Sequence, residues 1–235
     1  MESQSIEEQG RRVVPSDLPP SYVPTERSRV RRVPQRASYD AAVVHDILDA
    51  GYVAHVGIAE SGQPFVLPMV YVRVDRTLYL HGARTARLLA SLAEGVPMCA
   101  TVTLLDGLVL ARSAFHHSLN YRSVMVLGRG VGVADEEERE RAFAAFVDHV
   151  LPGRSAEVRP PNQQERRATM LVKLPIEEAS AKVRTGPPLD DAEDLSLSVW
   201  AGVLPLTLTP GVPVPDPALP AATPLPPTLA RYARR

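Results

Sequence analysis

The sequence predicts a mainly β domain with a few peripheral helices, and three observations carry that expectation. Between Tyr52 and Arg184 the chain runs in short apolar and β-branched stretches, separated by turn-forming pairs such as Ser61-Gly62, Asp75-Arg76 and Asp106-Gly107. Helical periodicity is confined to three segments, near residues 41–50, 84–92 and 135–150. Proline crowds both ends, with Pro15, Pro19, Pro20, Pro24 and Pro34 before the ordered run and PGVPVPDPALPAATPLPP after it. With 235 residues, 45% of them hydrophobic, the chain can bury one substantial core. The expected organisation is an N-terminal arm over residues 1–35, a domain over 36–206 and a Pro-rich tail over 207–235.

Taken in order, the arm is expected to be extended, laid across a partner subunit or left mobile. Asp40 caps a helix, AAVVHDILDA, ended by Gly51, with Val43, Val44, Ile47 and Leu48 on its buried face. Tyr52 to Ala59 alternates as a strand and turns at Ser61-Gly62. Pro64 to Val74 and Thr77 to His81 form a hairpin about Asp75-Arg76. Gly82 and Ala83 make a permissive turn into a helix spanning Arg84 to Leu92, with Leu88, Leu89 and Leu92 on one face and Arg84 and Arg87 on the other. Met98 to Leu105 and Leu108 to Ser113 read as a second hairpin about Asp106-Gly107. Tyr121 to Val133 is a strand. Asp135 to Val150 is the clearest helix: Asp135 and Glu138 suit a capping box, the first turn is acidic, and Phe143, Phe146, Val147 and Val150 are spaced for burial. Pro160-Pro161 interrupts, Thr169 to Leu174 is a strand, and Ile176 to Arg184 continues it. Trp200 is expected in the core or at a dimer interface. Proline density beyond Thr207 predicts a polyproline-like tail without helix or sheet.

The 26 basic and 27 acidic residues give a formal charge of −1, with no long like-charge block, which argues against nucleic acid as the principal partner. No apolar run reaches the roughly 20 residues of a membrane span, and the acidic start MESQSIEEQGRR is unlike a signal peptide. A cytoplasmic protein is expected. The single cysteine, Cys99, forms no internal disulfide and suits a buried inert thiol.

The sharpest chemical signal is the order strand, His81-Gly82 turn, then a helix opening on Arg84 and Arg87. Cations in a first helical turn oppose the macrodipole. A phosphate there would reverse the sign, taking backbone N–H groups, the Thr85 hydroxyl and forked guanidinium donors. A solvated basic face is the alternative left open by the residues alone. Zinc spacing is absent, His116-His117 being merely adjacent, and no GxSxG elbow is present. Haem asks only for a ligand such as His81 or His116.

The combination LYLHGARTARLLASL, followed by NYRSVMVLGRG, resembles the pyridoxamine 5′-phosphate oxidase-like flavoproteins, and especially their 5-nitroimidazole reductase (Nim-type) branch, over about residues 36–205. The resemblance implies an FMN-binding split β-barrel, built as a homodimer with the flavin at the interface. It implies that the backbone around Leu67, Pro68, Met69 and Val70 flanks the isoalloxazine ring. It places His81 and Gly82 beside the flavin, with Arg84, Thr85 and Arg87 at its phosphate. Asn120, Tyr121, Arg122 and Ser123, with Ser113 on the preceding strand, complete the implied site, and Lys182 and Arg184 are late basic residues near the barrel. His81 is the implied catalytic residue, donating a hydrogen bond or proton to a small substrate such as a nitroaromatic compound. No metal site is expected. The Arg-Lys pair and the arginine-rich C-terminus of the true pyridoxamine phosphate oxidases are missing, which argues against that substrate. A flavin-binding protein that stores or senses cofactor without turnover is the alternative function, and deazaflavin or haem the alternative cofactor.

Overall fold

The computed structural model describes residues 19–220 and 222–232. Ten strands, β1 (Ala37–Ser38), β2 (Val53–Glu60), β3 (Gln63–Val74), β4 (Thr77–Ala83), β5 (Pro97–Leu110), β6 (Ser118–Arg129), β7 (Val131–Gly132), β8 (Thr169–Pro175), β9 (Glu178–Arg184) and β10 (Gly202–Pro205), pair antiparallel throughout. Their order is β1-β9-β6-β5-β2-β3-β4-β8-β7, with β10 added to β5. Helices α1 (Ala41–Ala50), α2 (Arg87–Ala93), α3 (Glu136–Val150), α4 (Gln163–Ala168) and α5 (Pro227–Tyr232) are peripheral. The fold is the expected mainly β split barrel.

Alternation along the strands fills the interior. On β2 the side chains of Ala54, Val56 and Ile58 are buried while Val53, His55 and Ala59 face outward, the period of two that a half-buried strand requires. They meet Leu78 and Leu80 of β4, Val124 and Val126 of β6 and Val172 and Leu174 of β8. Val44, Ile47 and Leu48 of α1, and Leu88, Leu89 and Leu92 of α2, join the same core. Asp40 caps α1 as expected, accepting from the amides of Ala42 and Val43. A smaller cluster outside the barrel, Val72, Tyr79, Val133, Leu171, Ala142 and Phe146, seats α3 on β3, β4 and β8.

Several expectations need correction. Asp106-Gly107 does not close a hairpin: β5 runs unbroken for 14 residues, and its pairing with β6 steps from Leu105–Tyr121 to Gly107–Asn120, leaving Asp106 as a bulge. The extra residue switches faces, so burial passes from Met98, Ala100 and Val102 to Gly107 and Val109. The stretch after Pro175 does not prolong β8; β9 crosses to pair with β6 and β1. The strand expected over Tyr121 to Val133 begins earlier, at Ser118, and is followed by a separate β7 paired with β8. Strand β10 was not expected.

Gly107 marks where β10 crosses β5. A Cβ there would lie 2.9 Å from Val203 Cγ1 and 3.1 Å from the Leu204 carbonyl oxygen. The side chain can turn aside, but the carbonyl belongs to the β10 ladder. Gly107→Ala is therefore expected to cost about 1–3 kcal/mol and to loosen β10 first. Faster hydrogen exchange at the amides of Gly202, Val203 and Leu204, with those of β5 and β6 unchanged, checks this.

The part of the arm within the described residues packs on the domain of the same chain. Tyr22 is only 2% exposed, its hydroxyl is 2.8 Å from His45 Nε2, and its ring lies 4.1 Å from the Arg76 guanidinium. Residues 1–18 of the arm lie outside the described residues. The tail also returns to the domain: α5 places the Tyr232 hydroxyl against that of Tyr52, and Thr228 donates to Glu157 at 2.8 Å. A helix there contradicts the expectation of none. Trp200, 66% exposed, is not a core residue of this chain. Among the described residues no helix is long and apolar enough to cross a membrane.

Candidate functional site

Strand β3 serves two partners in turn. Gln63 to Val70 pair with β2, and Tyr71 to Val74 pair with β4. Beyond the pair Tyr71–Leu80 the strands part, and His81, Gly82 and Ala83 are held only by Leu171, Met170 and Thr169 of β8. On β4 the alternation sends Leu78 and Leu80 into the barrel and Tyr79 toward α3. His81, two residues on, follows Tyr79.

Between this parting and α3 lies a cavity of about 770 Å³. Val70 and His81 line it from the sheet, Phe143, Phe146, Val147 and Val150 from α3, and Arg159 and Arg166 from the segment beyond. The apolar face of α3 thus meets a cavity over part of its length, and Val150 is exposed where burial was expected. The true packing contacts of the helix are Ala142, Phe146 and the side chain of Arg139.

The His81 imidazole stands edge-on to Phe146, with ring centroids 4.3 Å apart and planes at 79°. Its Nδ1 is buried and has no hydrogen-bond partner among the described residues. Burial pushes its pKa below the ordinary histidine range, which favours the neutral ring. A neutral imidazole on an apolar cavity can donate or accept a hydrogen bond, or ligate a metal. The other histidines considered from sequence are engaged elsewhere: His116 Nε2 lies 3.1 Å from Asp191, and His117 Nδ1 lies 2.9 Å from the Ser113 carbonyl.

Beside His81, the Tyr79 hydroxyl donates to Glu138 at 2.8 Å, and Lys173 Nζ donates to both oxygens of that carboxylate at 2.9 and 2.8 Å. Burial disfavours the charged carboxylate, but Lys173 and Tyr79 together hold it below its usual range. Glu138 is thereby withdrawn from the capping box. Asp135 still caps α3, accepting from the Glu138 amide at 2.7 Å, and only that half of the expected motif forms.

The remaining residues expected at a flavin fall into three groups. Leu67, Pro68 and Val70 are exposed and Met69 half-buried on the stretch of β3 whose second edge has no strand partner among the described residues. Thr85 is exposed just before α2, and Arg87 is its first residue, 3.4 Å from Glu60 and 4.8 Å from the Phe65 ring. Gly82 faces α2 so closely that a Cβ would lie 2.7 Å from Leu89 Cδ1. Arg84 is not in the helix: its amide donates to Ala168 at 2.9 Å and its side chain lines a different cavity, with Arg139, Arg166 and Arg167. The two arginines expected to share one phosphate therefore face different neighbours.

The third group sits at the end of the β5–β6 ladder remote from α2. Asn120 is buried, accepting from Arg184 and donating to the Gly186 carbonyl at 3.1 Å. Arg122 forks onto Asp106 at 2.7 and 3.0 Å, which holds the bulge. Ser123 donates to the Lys182 carbonyl at 3.3 Å, while Lys182 Nζ donates to Arg32. Tyr121 is half-buried. Ser113 keeps a buried hydroxyl with no partner. Within one chain these residues are not gathered with Arg87.

Residues 40–183 match the family model for pyridoxamine 5′-phosphate oxidase. No curated protein matches the chain. Among solved structures, the flavocytochrome Anf3 from Azotobacter vinelandii is 42% identical, covering 90% of this chain and 98% of its own at a TM-score of 0.84. A FAD and haem binding protein from Mycobacterium smegmatis is 37% identical, covering 84% of this chain and 97% of its own at a TM-score of 0.81. A protein described as a 5-nitroimidazole antibiotic resistance protein, from Bacteroides thetaiotaomicron, is 23% identical at a TM-score of 0.54, over 63% of this chain and 86% of its own, a likeness of fold. By these matches the chain belongs to the pyridoxamine 5′-phosphate oxidase family.

Proposed function

We propose that this protein is a cytoplasmic redox protein that holds a flavin and a haem, acting as a homodimer on a small molecule. The observation that carries the reading is the half-buried His81 imidazole, whose ring has no hydrogen-bond partner among the described residues, on the wall of an apolar cavity of about 770 Å³. Two relatives above 35% identity, one a flavocytochrome and the other a FAD and haem binding protein, support it. His81 would ligate the iron, while Phe143, Phe146 and Val147 exclude water from the macrocycle. Arg159 and Arg166 suit its carboxylates, although each already has a carboxylate partner, Glu165 and Glu140. A flavin supplies two-electron chemistry, and a haem iron exchanges electrons one at a time.

For the flavin, FMN or its dinucleotide form, Thr85 and Arg87 would hold phosphate and the open edge of β3 over Leu67 to Val70 would lie against the ring. A second copy would cover that edge together with exposed Leu105, Trp200 and Leu204. Reduction of a nitroaromatic or similar acceptor remains the proposed turnover.

The absorption spectrum of the purified protein, followed by denaturation and chromatography of what is released, tests the reading. Haem and flavin together are expected. A colourless protein that takes up neither added cofactor overturns it. Arg87→Ala is expected to weaken FMN about ten- to a hundredfold while changing riboflavin little, because the lost contact is a charge-assisted bond to phosphate. Equal weakening of both would place Arg87 outside the phosphate site.

A further inference from the structure

A second cavity, of about 640 Å³, opens between the start of α3, the end of α4 and the link from β4 to α2. Its wall carries Arg84, Arg139, Arg166 and Arg167, against one acid, Glu136, and the amide of Gln163. Arg139 is only 7% exposed and is spent on the chain itself, donating to the carbonyls of Val133, Arg166 and Thr169 at 3.1–3.2 Å. Its Nε stands 3.7 Å from Glu136, the cavity's single carboxylate. Arg166 donates to Glu140 at 2.5 Å and to the Pro161 carbonyl at 2.9 Å. Among the described residues the side chains of Arg84 and Arg167 have no hydrogen bond and no ion pair.

Arg166 and Arg167 lie in the last turn of α4, where cations complement the dipole. That does not account for Arg84, which arrives from another part of the chain and is tied beside them by the hydrogen bond its backbone N–H donates to the Ala168 carbonyl. The wall keeps a surplus of three positive charges, or two when Glu140 is counted. Like charges held this close repel, and a concave wall of guanidinium groups concentrates oxyanions. Two free forks on one cavity match an anion that presents several oxygens at once.

We infer that this cavity binds a free multivalent phosphate, either inorganic or carried on a small molecule, with Arg84 and Arg167 as its principal donors. The inference goes beyond the flavin and haem sites proposed above, which use neither residue, and it reassigns Arg84 from the flavin phosphate that the family resemblance implies to this second cavity. The same oxyanion chemistry could also come from the phosphate of the proposed flavin, held at Arg87, or from the carboxylates of a haem in the neighbouring cavity, reached past Arg166, which lines both.

Titration calorimetry of the full-length protein with pyrophosphate at low ionic strength tests it. Saturable binding at one site per chain is expected. Arg84→Ala and Arg167→Ala should each weaken it at least about tenfold, with Arg84→Lys recovering part of the loss, and Arg31→Ala, an exposed arginine paired with Glu26 and outside both cavities, leaving it unchanged. Without anion, Arg84→Ala should melt no lower than the parent, because it relieves repulsion; with pyrophosphate only the parent should gain in melting temperature. The inference fails if the isotherm matches sodium chloride of equal ionic strength, or if both alanine variants bind as the parent does. Equal loss in Arg87→Ala would put the anion in the proposed flavin phosphate site and overturn it. Loss of binding on saturation with haem would assign the cavity to haem carboxylates, and binding unchanged by haem supports a free phosphate.

Discussion

His81→Ala is expected to abolish haem uptake while leaving flavin occupancy nearly unchanged. Loss of groups that only orient a ligand costs metal affinity ten- to a hundredfold, so deleting the ligand itself should cost at least about a hundredfold. Haem titration followed by absorbance, with released flavin measured in parallel, checks both halves. Retained haem would move the ligand elsewhere, and joint loss of flavin and thermal stability would make His81 structural. A pH dependence accompanies this result. The folded state holds His81 neutral at pH values where the unfolded chain, with an ordinary pKa near about 6.5, is already protonated. Its contribution to stability is therefore present above about pH 6.5 and is lost as pH falls through the unfolded value toward the lowered folded one. His45, depressed by burial and then by Arg73, adds a term of the same sign that survives in His81→Ala. With haem absent from both proteins, the variant should show a smaller loss of stability between about pH 7 and 5 than the parent.

Phe146→Ala is expected to destabilise the fold by about 3 kcal/mol, the lower end for a buried phenylalanine, because one side of the ring already meets a cavity. The residue is 5% exposed and ties α3 to the outer face of the sheet through Val72, Tyr79 and Leu171. For a chain of this size the melting temperature should fall by about 6–12 °C. Denaturant and thermal melts measure it. A change below about 1 kcal/mol would mean that the Glu138–Tyr79–Lys173 contacts, and not Phe146, hold the helix. The same variant should bind haem more weakly than the parent, since His81 loses the ring that fixes its plane.

Much of the fold is legible locally. Asp40 and Asp135 cap the helices they were expected to cap, because an N-cap bond involves residues two or three apart. Ser61-Gly62 turns with φ of 51° and 82°, and Asp75 with φ of 50°, conformations that these residue types tolerate. The pair Asp106-Gly107 suits a two-residue turn and a bulge equally; pairing with β6, and the Arg122 guanidinium on Asp106, decide for the bulge. The start of α2 was misplaced for a like reason. Arg84 has adequate helix propensity, but its amide is taken by Ala168, more than 80 residues away. In the tail, proline is barred from a helix interior but suits its first turn, and Pro227 opens α5 there.

The site divides the same way. Local patterning fixes which chemical groups are available: a histidine closing a strand, arginines around a turn, an apolar helix face and a mainly β chain to carry them. Periodicity reports which face of α3 is apolar, not what that face meets, so the cavity beside His81 was invisible until β3 and β4 parted and α3 was laid across the gap. Only the tertiary structure separated Arg84 from Arg87, set Arg84 among three other arginines, and spent Asn120, Arg122 and Glu138 on internal partners. These outcomes depend on contacts between residues tens of positions apart, and no local propensity or spacing encodes which of several possible partners a charged side chain will meet.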